Sequence, residues 1–505
     1  MSKVLSLGEL ALKTAAERRK GRKVVHCHGV FDLLHVGHIR HFERAKSLGH
    51  TLVVTVTPDR FVNKGPHRPA FHEGLRAEAV AALACVDHVA VNAWPDAVQT
   101  IKLLRPSIYM KGSDYRSMKD DVTGGIRREK RAVESGGGKL VFTDEVVFSS
   151  SSLINRHLPA FTPELAKFFE GFTRRHGVAS VLGWLEDAKR LSLLAVGEAI
   201  VDEYAFCEAI GKSSKEPTLV VKGSEAELFA GGILAVANNA ASICRKVSML
   251  AMIGRTKPRL DFIRRKLLPS VRPLWAWRSD GPTILKRRYV ESYHFTKLLE
   301  VYEIQDAATL PKDEAAWVRL IAREAPRHQA TLVVDYGHGM LGEKAIKALR
   351  AKAEYLIVNA QSNAGNIGYH TIDRYGKVDL ACMAENELRM ERRDRRGDLR
   401  GLLESLCRER GWPRAICTRG KTGSLAYERG RGFSAVPAFA GVIKDRVGAG
   451  DAFLSVAGPL VAAGAPLEVA QFLGNAAGAQ AVATVGHRQS LDRATLIKHT
   501  ESLLK

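Results

Sequence analysis

Short apolar runs alternate with amphipathic segments along the first 157 residues of the chain. The apolar runs are rich in Val, Ile and Leu, as strands buried on both faces of a sheet are, and the amphipathic segments repeat at the helical period. Strands are predicted at 24–31, 51–59, 87–93, 107–114 and 139–148, with helices at 38–49, 76–86 and 96–104. This alternation predicts a doubly wound α/β domain with a parallel, Rossmann-like sheet.

A helical pattern between residues 158 and 190 separates this first domain from a second series of strands. The second series begins at 191–204 and leads to a Gly- and Ala-rich helical stretch in the last third of the chain. No internal repeat relates the two series. We therefore predict two different doubly wound α/β domains, with residues 1–157 and 191–505 joined by a helical connector at 158–190.

Composition narrows the class of protein. Of the 505 residues, 46% are hydrophobic and 26% are charged, which excludes a mainly disordered, collagen-like or membrane-spanning chain. The formal net charge is +22, but the basic residues are scattered, and the densest group, at 389–400, also carries three acids. A solvated surface or small anionic substrates account for this charge better than a nucleic-acid groove, so no nucleic-acid partner is expected.

Cysteine usage and the apolar segments favour a cytoplasmic protein. The seven cysteines are odd in number, form no CxxC pair and lie mostly in apolar runs, as thiols do in a reducing compartment, so no metal site is predicted. The N-terminal segment has no sustained apolar core of the signal-peptide kind. The longest apolar stretch, 452–474, is interrupted by Gly, Pro and Glu residues, so no membrane association is expected, and homo-oligomerisation stays open.

The segment GVFDLLHVGHIRHFERAK at 29–46 carries the sharpest chemical signal. A strand ends near Phe31, and the His-x-Gly-His spacing brings His35 and His38 side by side at the start of a helix. Free N–H groups and the helix dipole attract phosphate there. Two imidazole donors facing a triphosphate stabilise the charge that develops when a phosphorus atom is attacked. The plainer interpretation, two surface histidines beside a helix cap, is disfavoured by the strand, the glycine and the helix around them.

This segment resembles the HxGH nucleotidyltransferases, which include the glycerol-phosphate cytidylyltransferases and the nucleotidyl-transfer domains of ADP-heptose synthases. The resemblance extends through RPAFHEGLR at 68–76, MKGSDY at 110–115 and FSSSSLIN at 148–155. It implies catalytic roles for His35 and His38 and a substrate-binding role for Lys46. The nucleotide-binding residues that it implies are Gly29, Phe31, Lys111, Gly112, Ser151 and Ser152.

The nucleoside triphosphate used by the first domain is ATP in one interpretation and CTP in the other. KGSDY and FSSSSLIN resemble segments of the heptose enzymes, and the RTEGISTT segment of the glycerol-phosphate cytidylyltransferases is absent. We therefore expect ATP, with CTP as the alternative. His28 departs from the family pattern, in which Thr or Asn is usual at that position.

A second chemical signal is IKDRVGAGDAFLSVAG at 443–458. Gly448, Ala449 and Gly450 are expected to form a turn into a helix whose N–H groups suit a developing oxyanion. Asp451, at the start of that helix, can accept the proton of a sugar hydroxyl as a general base in phosphoryl transfer. For GAGD alone, a Gly/Ala loop with an Asp cap is the plainer interpretation.

This segment resembles the ribokinase/PfkB carbohydrate kinases, whose signature is DTxGAGD. The resemblance covers roughly 190–505 and is weakest at 255–330. It implies a general-base role for Asp451. The substrate-binding residues that it implies are Asp202, Gly231, Gly232 and Asn239, and the nucleotide-binding residues are Thr418, Gly420, Gly423, Gly448, Ala449 and Gly450.

Three departures from the kinase pattern bear on activity. Ala235 stands where a sugar-contacting Asn is usual. Arg389 replaces the Glu that helps to place magnesium, with Glu387 or Glu391 as candidate substitutes, and the segment 359–375 replaces a shorter basic stretch. These departures leave open a degenerate kinase fold that binds a sugar phosphate and regulates the first domain.

Together the two resemblances imply a bifunctional enzyme of the ADP-heptose synthase type with its domains in reversed order. The kinase domain is expected to phosphorylate the anomeric hydroxyl of a heptose 7-phosphate-like sugar. The nucleotidyltransferase domain is expected to join the sugar 1-phosphate to AMP from ATP, and Mg²⁺ is expected to accompany ATP. The alternative is a CTP-dependent cytidylyltransferase for a small alcohol or sugar phosphate, fused to a kinase for that substrate or to a degenerate kinase fold.

Overall fold

The computed structural model describes residues 2–62, 69–112, 125–143, 162–441 and 443–504. It divides into two compact units, a smaller one with residues 1–173 and 497–505 and a larger one with residues 174–496. Each unit is described by itself below. Ser151 and Ser152 lie outside the described residues, as do all of FSSSSLIN and the last three residues of KGSDY.

The smaller unit contains a parallel sheet with helices on both faces. Its strands are β1 (Val24–Gly29), β2 (Thr51–Val56), β3 (His88–Val91), β4 (Ile108–Lys111) and β5 (Lys139–Phe142). Its helices are α1 (Leu7–Arg19), α2 (Val36–Ser47), α3 (Glu73–Ala81), α4 (Val98–Leu104), α5 (Gly125–Ser135) and α6 (Pro163–His176), and the division between the units falls within α6. The strand order is β3-β2-β1-β4-β5, and every pair is parallel.

Alternation along the central strand β1 supplies both faces of this sheet. Val25 and Cys27 pack with residues of α2 and α3, whereas Val24 packs with Leu10 of α1 and Leu104 of α4. The chain order reverses between β1 and β4, since β2 and β3 lie on one side of β1 and β4 and β5 on the other. Ligands of open α/β sheets bind outside the carboxyl ends of the strands at such a reversal.

The larger unit has a mixed sheet whose strands follow the chain as β6 (Ser192–Lys212), β7 (Leu219–Gly232), β8 (Lys246–Thr256), β9 (Val271–Pro282), β10 (Ile284–Glu291), β11 (Thr296–Glu303), β12 (Ala330–Asp335), β13 (Leu356–Ala360), β14 (Leu380–Ala384), β15 (Arg414–Thr418), β16 (Ser424–Glu428) and β17 (Gly432–Val436). Its helices are α7 (Val178–Ala188), α8 (Ile233–Ala241), α9 (Leu260–Lys266), α10 (Pro311–Glu324), α11 (Glu343–Lys352), α12 (Glu385–Glu391), α13 (Leu399–Arg410), α14 (Ala449–Ala462), α15 (Leu467–Val482) and α16 (Arg493–Leu504), the last of which crosses the division between the units.

Strand β6 runs for 21 residues and belongs to two layers of this unit. Its first part, as far as Glu198, pairs in parallel with β8 and β12 in the central sheet. From Ala199 onward it pairs with β7 and β10, which form a second layer with β11. We call this second layer the lid sheet.

The expectation of two α/β domains with doubly wound sheets, Rossmann-like and ribokinase-like, is confirmed. The predicted strands of the first domain and its helices after β1, β2 and β3 are present, with ends that shift by a few residues. The sequence analysis did not predict α5 or the lid strands β7, β10 and β11. The first ten residues of β7 and all of β11 are exposed or only half-buried, so these strands lack the continuous apolar runs by which buried parallel strands are found.

All seven cysteines are free thiols, and all but Cys85 are buried, as expected for small core residues. In the part of the chain that the structure describes, no helix is both long and apolar enough to cross a membrane. The functional domain limits at 157 and 191 stay a prediction.

Acid should destabilise the smaller unit because histidines are buried in it without charge. Burial in β1, together with the positive charge of Lys111, lowers the pKa of the His26 side chain from 6.5 to about 3. As the pH falls, the unfolded chain binds a proton at His26 before the folded chain does. The contribution of His26 to the free energy of unfolding is therefore complete above about pH 6.5 and is lost as the pH falls toward 3. At pH 5 the loss from this one residue is about 2 kcal/mol.

This loss of unfolding free energy is measured by urea unfolding of the full chain between pH 7.5 and 4.5, monitored with a probe in the smaller unit. The His26→Gln variant should show a shallower fall in the free energy of unfolding than the wild type. His50→Gln, at an exposed position, serves as the control and should keep the wild-type slope. Equal slopes for wild type and His26→Gln would contradict the assignment.

Candidate active sites

In the smaller unit, the turn after β1 is shaped by close packing of Phe31 on Gly29. Phe31 adopts a left-handed backbone conformation with φ 49°, which is uncommon for a residue with a side chain. A Cβ atom at Gly29 would lie 2.8 Å from Cζ of the Phe31 ring, so a glycine is needed there. The ring of Phe31 also meets His38 edge-on, with 5.3 Å between ring centroids. The two expected nucleotide-binding residues Gly29 and Phe31 thus lie directly beside the histidine pair.

His35 and His38 stack on each other at the start of α2, with ring centroids 3.9 Å apart and planes inclined by 28°. His35 caps the helix, and its Nδ1 accepts a hydrogen bond from the N–H of Gly37 at 3.2 Å. An Nδ1 that accepts carries no proton, so in the neutral ring the proton is on Nε2. Nε2 of His35 is buried and has no hydrogen-bond partner in the described residues. This N–H is therefore a donor available to a phosphate oxygen.

The electrostatics of this site combine neutral imidazoles with a buried ion pair. Burial lowers the pKa of His35, which keeps the ring neutral near pH 7. Lys111, at the end of β4, forms a buried ion pair with Glu129, with 3.1 Å between Nζ and Oε2. After burial, its charge is the next cause that lowers the pKa of His28 and His41. Lys111 thus supplies positive potential at the carboxyl edge of the sheet, where Gly112 follows it.

His28, the departure from the family pattern, is held between two threonines. Its Nδ1 lies 2.9 Å from Oγ1 of Thr55, and its Nε2 lies 3.2 Å from Oγ1 of Thr57. Both ring nitrogens are thus engaged within the protein. His28 therefore packs beneath the site and has no ring nitrogen free to bind a ligand in this arrangement.

Arg76 is a site residue that the sequence analysis missed. Its guanidinium is fully buried and donates to the carbonyl oxygens of Val30, Thr57 and Phe71 and to the carboxylate of Asp59. These bonds join the turn after β1 to the turn after β2. An arginine on the buried face of a helix, one turn before the buried Val80, was the signal in the sequence that could have identified it.

Lys46 is not brought to this site by the structure. It lies near the end of α2, where its Nζ is 2.5 Å from Oδ2 of Asp87 and 2.8 Å from the carbonyl oxygen of His50. Both partners precede the first residues of β2 and β3. Lys46 is therefore at the amino edge of the sheet, opposite the histidines, because α2 runs antiparallel to the strands and carries its last turn there.

In the larger unit, Asp451 lies in the first turn of α14, directly after the GAG turn. Gly448 has φ 81°, and a Cβ atom on it would lie 2.2 Å from His487, so this turn requires glycine. The Oδ1 atom of Asp451 accepts hydrogen bonds from the Tyr336 hydroxyl at 3.0 Å and from Nε2 of Gln361 at 3.2 Å. Burial raises the pKa of this carboxyl group. With both donors on Oδ1, the Oδ2 atom is the one available to a substrate hydroxyl.

Asp202 and Gly231 are packed together where β6 and β7 pair at the base of the lid sheet. A Cβ atom on Gly231 would lie 1.9 Å from Oδ2 of Asp202, so only glycine permits this approach. Arg288 of β10 donates to Oδ1 of Asp202. Gly232 has φ 56° and comes directly before α8. Three of the four expected substrate-binding residues, Asp202, Gly231 and Gly232, thus lie together.

Asn239 is buried in α8 and is engaged by the backbone. Its Oδ1 accepts a hydrogen bond from the N–H of Leu491 at 2.9 Å. Ala235 and Asn239 line a polar cleft that also contains His487 and Arg488. Because residue 235 is an alanine and not the usual asparagine, it leaves space in this cleft beside the basic side chains.

Three of the six expected nucleotide-binding residues of the larger unit, Thr418, Gly420 and Gly423, lie at the end of β15 and in the turn that follows it. Thr418 ends that strand, and Gly420 and Gly423 form a tight turn with φ 54° and 94°. A Cβ atom on Gly423 would lie 2.1 Å from the carbonyl oxygen of Val436. This turn has the shape that a glycine-rich loop needs to bring its backbone close to a ligand.

Arg389 stands where the kinase family usually has a glutamate that helps to place magnesium. It belongs to a cluster of oppositely charged side chains. Glu385 accepts hydrogen bonds from both Arg389, at 2.9 Å, and Arg419, at 3.2 Å. Glu387 accepts from the N–H groups of Ala384 and Ser362, so it is committed to the backbone. Burial raises the pKa of Glu391.

Within the described ranges, no group of three or more acidic, His or Cys side chains is arranged to hold a metal ion. Mg²⁺ commonly keeps several waters and is held by one or two carboxylates together with the phosphates of its nucleotide. The residues present therefore fit a metal that arrives with ATP better than a metal bound by the protein alone.

Two family models match separate parts of this chain. A model described as cytidylyltransferase-like matches residues 26–156, and a model of the pfkB family carbohydrate kinases matches residues 291–494. The chain thus carries a nucleotidyltransferase-like domain followed by a carbohydrate kinase-type domain. The first match includes the histidine pair and the second includes Asp451.

Curated relatives match the N-terminal third of the chain. The bifunctional protein HldE of Methylobacillus flagellatus is 39% identical over 158 residues, 31% of each chain. That of Syntrophotalea carbinolica is 40% identical over 148 residues, 29% of each chain. The chain thus spans about a third of the length of the curated relatives it matches.

The larger unit has the fold of known sugar kinases. The crystal structure of phosphofructokinase-2 from Escherichia coli in complex with potassium superposes with a TM-score of 0.52 and 16% identity, and the match covers 62% of this chain and 100% of that chain. The tetrameric inhibited form of the same enzyme gives a TM-score of 0.51 with 15% identity and the same coverage of both chains. At these identities the likeness shows the fold.

A methyl group on Gly231 should displace Asp202 and weaken binding of an acceptor hydroxyl. Loss of one hydrogen bond to a charged group costs about 1.5–3 kcal/mol, so Gly231→Ala should lower kcat/KM of ADP release for the acceptor by about 10- to 100-fold. Gly223→Ala, on the same strand with no atom within 4 Å of the added carbon, is the control and should behave as wild type. Wild-type kinetics in Gly231→Ala would show that Asp202 does not bind the acceptor.

Proposed function

We propose that this chain catalyses two steps in the synthesis of a nucleotide-activated sugar, one in each unit, and that a phosphatase acting elsewhere removes the distal phosphate between them. The larger unit transfers the γ-phosphoryl group of ATP to the anomeric hydroxyl of a sugar phosphate similar to a heptose 7-phosphate. The smaller unit transfers AMP from ATP to a sugar 1-phosphate and releases pyrophosphate. The observation that carries the proposal is the free, buried Nε2 donor of His35 in one unit, combined with the buried carboxylate of Asp451 in the other.

In the smaller unit, an oxygen of the sugar 1-phosphate attacks the α-phosphorus of the nucleotide. The bond from that phosphorus to the oxygen bridging the α- and β-phosphates breaks, and pyrophosphate leaves. His35 donates its Nε2 proton as a hydrogen bond to a phosphate oxygen, and the buried charge of Lys111 favours the same anion. Because donors are aligned before the reaction, negative charge that develops is stabilised without reorganisation.

In the larger unit, the hydroxyl proton of the acceptor passes to Oδ2 of Asp451 as the hydroxyl oxygen bonds to the γ-phosphorus. The bond from that phosphorus to the β–γ bridging oxygen breaks, and ADP leaves. Tyr336 and Gln361 fix the carboxylate through Oδ1. The N–H groups in the first turn of α14 are directed at the transferred group. A Mg²⁺ ion that arrives with ATP would supply further compensation for the charge of the phosphates.

The choice of ATP for the smaller unit rests on the motif resemblance, since the motifs that distinguish it from CTP lie largely outside the described residues. The relatives that match the smaller unit are named bifunctional proteins, and the kinase-type domain follows in the same chain, which supports a two-step synthesis. The reversed domain order and a cytoplasmic location belong to this proposal, the latter because the described thiols are all unpaired.

A second candidate function is favoured by the Glu385 cluster. Arg389, which replaces the glutamate that helps to place magnesium in the kinases, holds the carboxylate of Glu385 together with Arg419. In this candidate the larger unit binds a sugar phosphate without transferring phosphate, and it regulates the smaller unit.

A mass-spectrometric screen of sugar phosphates with ATP and with CTP tests the proposal directly. We expect ADP and a sugar bisphosphate from the kinase step, and pyrophosphate with an ADP-sugar from a supplied sugar 1-phosphate. Equal or better turnover with CTP would reverse the donor assignment. Ligand binding without ADP release from any sugar phosphate would favour the second candidate function.

The two steps should be separable by single substitutions. Asp451→Asn removes the proton acceptor and keeps its shape, so ADP release should fall by about 10²- to 10⁴-fold. His38→Ala and His35→Ala remove imidazoles beside the phosphates, and each should lower nucleotidyl transfer by about 10²- to 10³-fold. Each variant is assayed for both steps, with the intermediate supplied.

His50→Ala is the matched control for the histidine variants, because His50 lies beyond the end of α2 at the other edge of the sheet. It should keep both activities. Nucleotidyl transfer within a few-fold of wild type in His38→Ala would refute the first site. Loss of both steps in a folded Asp451→Asn protein would refute two independent sites.

A further inference from the structure

We propose that Lys297 is a positioning residue for the catalytic base of the larger unit. Its ammonium group reaches from the lid sheet to the buried carboxylate of Asp445, which holds the turn that precedes Asp451. The consequence for catalysis rests on the proposed kinase function, whereas the link between the lid sheet and the turn rests on the geometry around Asp445.

Asp445 is a buried carboxylate on which four parts of the larger unit converge. Nζ of Lys297 lies 2.5 Å from its Oδ1 atom. Its Oδ2 atom accepts hydrogen bonds from the Tyr204 hydroxyl at 2.6 Å and from the N–H of Gly486 at 2.9 Å. Its Oδ1 atom also accepts one from the N–H of Val447 at 3.2 Å. Because Lys297 lies on β11 and Tyr204 on β6, two strands of the lid sheet meet two loops at one carboxylate.

Lys297 supplies the charge that compensates Asp445. Among the described residues no other cation lies within 4.0 Å of this carboxylate, and its other three donors are neutral. Burial alone would raise the pKa of Asp445, but Lys297 and then Tyr204 outweigh it and hold that pKa below its usual range. A buried carboxylate that loses its cation keeps the cost of desolvation without the compensating attraction. The position of Asp445 therefore depends on where β11 places Lys297.

Two of the hydrogen bonds to Asp445 fix the surroundings of the GAG turn. Val447 comes directly before Gly448, and Gly486 comes directly before His487. A Cβ atom on Gly448 would lie 2.2 Å from Cε1 of the His487 ring, so the two segments pack closely at this glycine. Asp445 thus holds both the chain that enters the turn and the loop that packs on it.

The GAG turn in turn sets the place of the base. Asp451 lies in the first turn of α14, directly after the GAG turn. Tyr336 and Gln361 orient its carboxylate, and Lys297 fixes the start of its helix from the lid sheet. A base acts only when its accepting atom lies within hydrogen-bond reach of the hydroxyl. Since Asp202 of the same lid sheet is expected to bind the acceptor, the link through Lys297 sets the base relative to the acceptor.

The lid sheet does not depend on this ion pair for its packing. Tyr204, Phe229 and Val290 form a buried apolar cluster, and Val485, in the loop after α15, packs against it. A plain structural ion pair would stabilise the whole unit. We instead expect loss of Lys297 to loosen the GAG turn more than the lid sheet.

Hydrogen exchange of the full chain without ligand tests the link without assuming the reaction. In Lys297→Met, peptides covering 444–450 and 483–489 should exchange several-fold faster than in wild type, because their N–H donors to Asp445 lose a fixed acceptor. Lys297→Arg keeps the charge and should exchange as wild type does. Lys222→Met is the matched control, since Lys222 is exposed on β7 of the same lid sheet, and it should also match wild type. Unchanged exchange of both peptides in Lys297→Met would refute the proposal.

Kinetics test the positioning role and separate it from the proposed function. For an active kinase, Lys297→Met should lower kcat of ADP release by about 10- to 100-fold, because a small displacement of the base takes it out of reach, with KM of acceptor and of ATP within a few-fold. Lys297→Arg should keep kcat within a few-fold of wild type. Equal losses in both variants, or a wild-type kcat in Lys297→Met, refute the positioning role and leave the kinase function standing. Absence of ADP release in wild type, with hydrogen exchange that depends on Lys297, refutes the kinase function and leaves the link to the turn standing.

A second variant removes both charges, because Lys297→Met alone leaves a buried carboxylate without its cation. Lys297→Met combined with Asp445→Asn has no uncompensated charge, so its thermal midpoint should lie above that of Lys297→Met. Its kcat should remain lowered, since the link between the lid sheet and the turn is still missing. A folded double variant with wild-type kcat would show that Lys297 does not position the base.

Discussion

The arrangement of the larger unit depends on the continuity of β6 across two layers. Backbone pairing of the strand with β8 and β12 fixes Glu198, and pairing with β7 and β10 fixes Asp202 only four residues later. Glu198 then holds the loop that carries Tyr336, and Asp202 holds Arg288 of the lid sheet. Because a strand is stiff over this length, Glu198 in the central sheet and the charges of the lid sheet keep a fixed separation.

The two units offer phosphate different kinds of polar group. In the smaller unit, burial keeps His35 neutral, and its tautomer is set by the Gly37 N–H, so the site presents a directed neutral donor beside the buried ion pair of Lys111 with Glu129. In the larger unit, charges of both signs are buried together, as in the contact of Arg288 with Asp202. A neutral donor needs little desolvation energy, whereas buried ions need partners.

The sequence was sufficient for the α/β class and for most central strands, because buried parallel strands are apolar throughout. It also located the two motifs, because these are local, whereas the roles of their residues stay predictions. It was insufficient where position depends on long-range pairing. Lys46 follows the histidine motif by eight residues, yet the helix carries it to the far edge of the sheet. Tyr336 and Arg76 acquire contacts from residues distant in the chain, Asp451 and Val30, so the sequence indicates at most that Arg76 lies on a buried helix face and not what it contacts.

The departures from the kinase pattern redistribute charge around Asp451 rather than remove it. Arg389 and Arg419 share Glu385, so this cluster carries a net positive charge on the side of the β14 and β15 ends. A nucleotide with its phosphates near that cluster would meet cations of the protein where the other kinases use a carboxylate to place a metal. Gln361, which donates to Asp451 from the segment 359–375 that departs from the family pattern, adds a neutral donor instead of a charge. Phosphoryl transfer needs positioning and compensation of charge, and both needs can be met by arginines as well as by metal ligands. The base and its partners are therefore consistent with catalysis even though the residues that would place a metal differ.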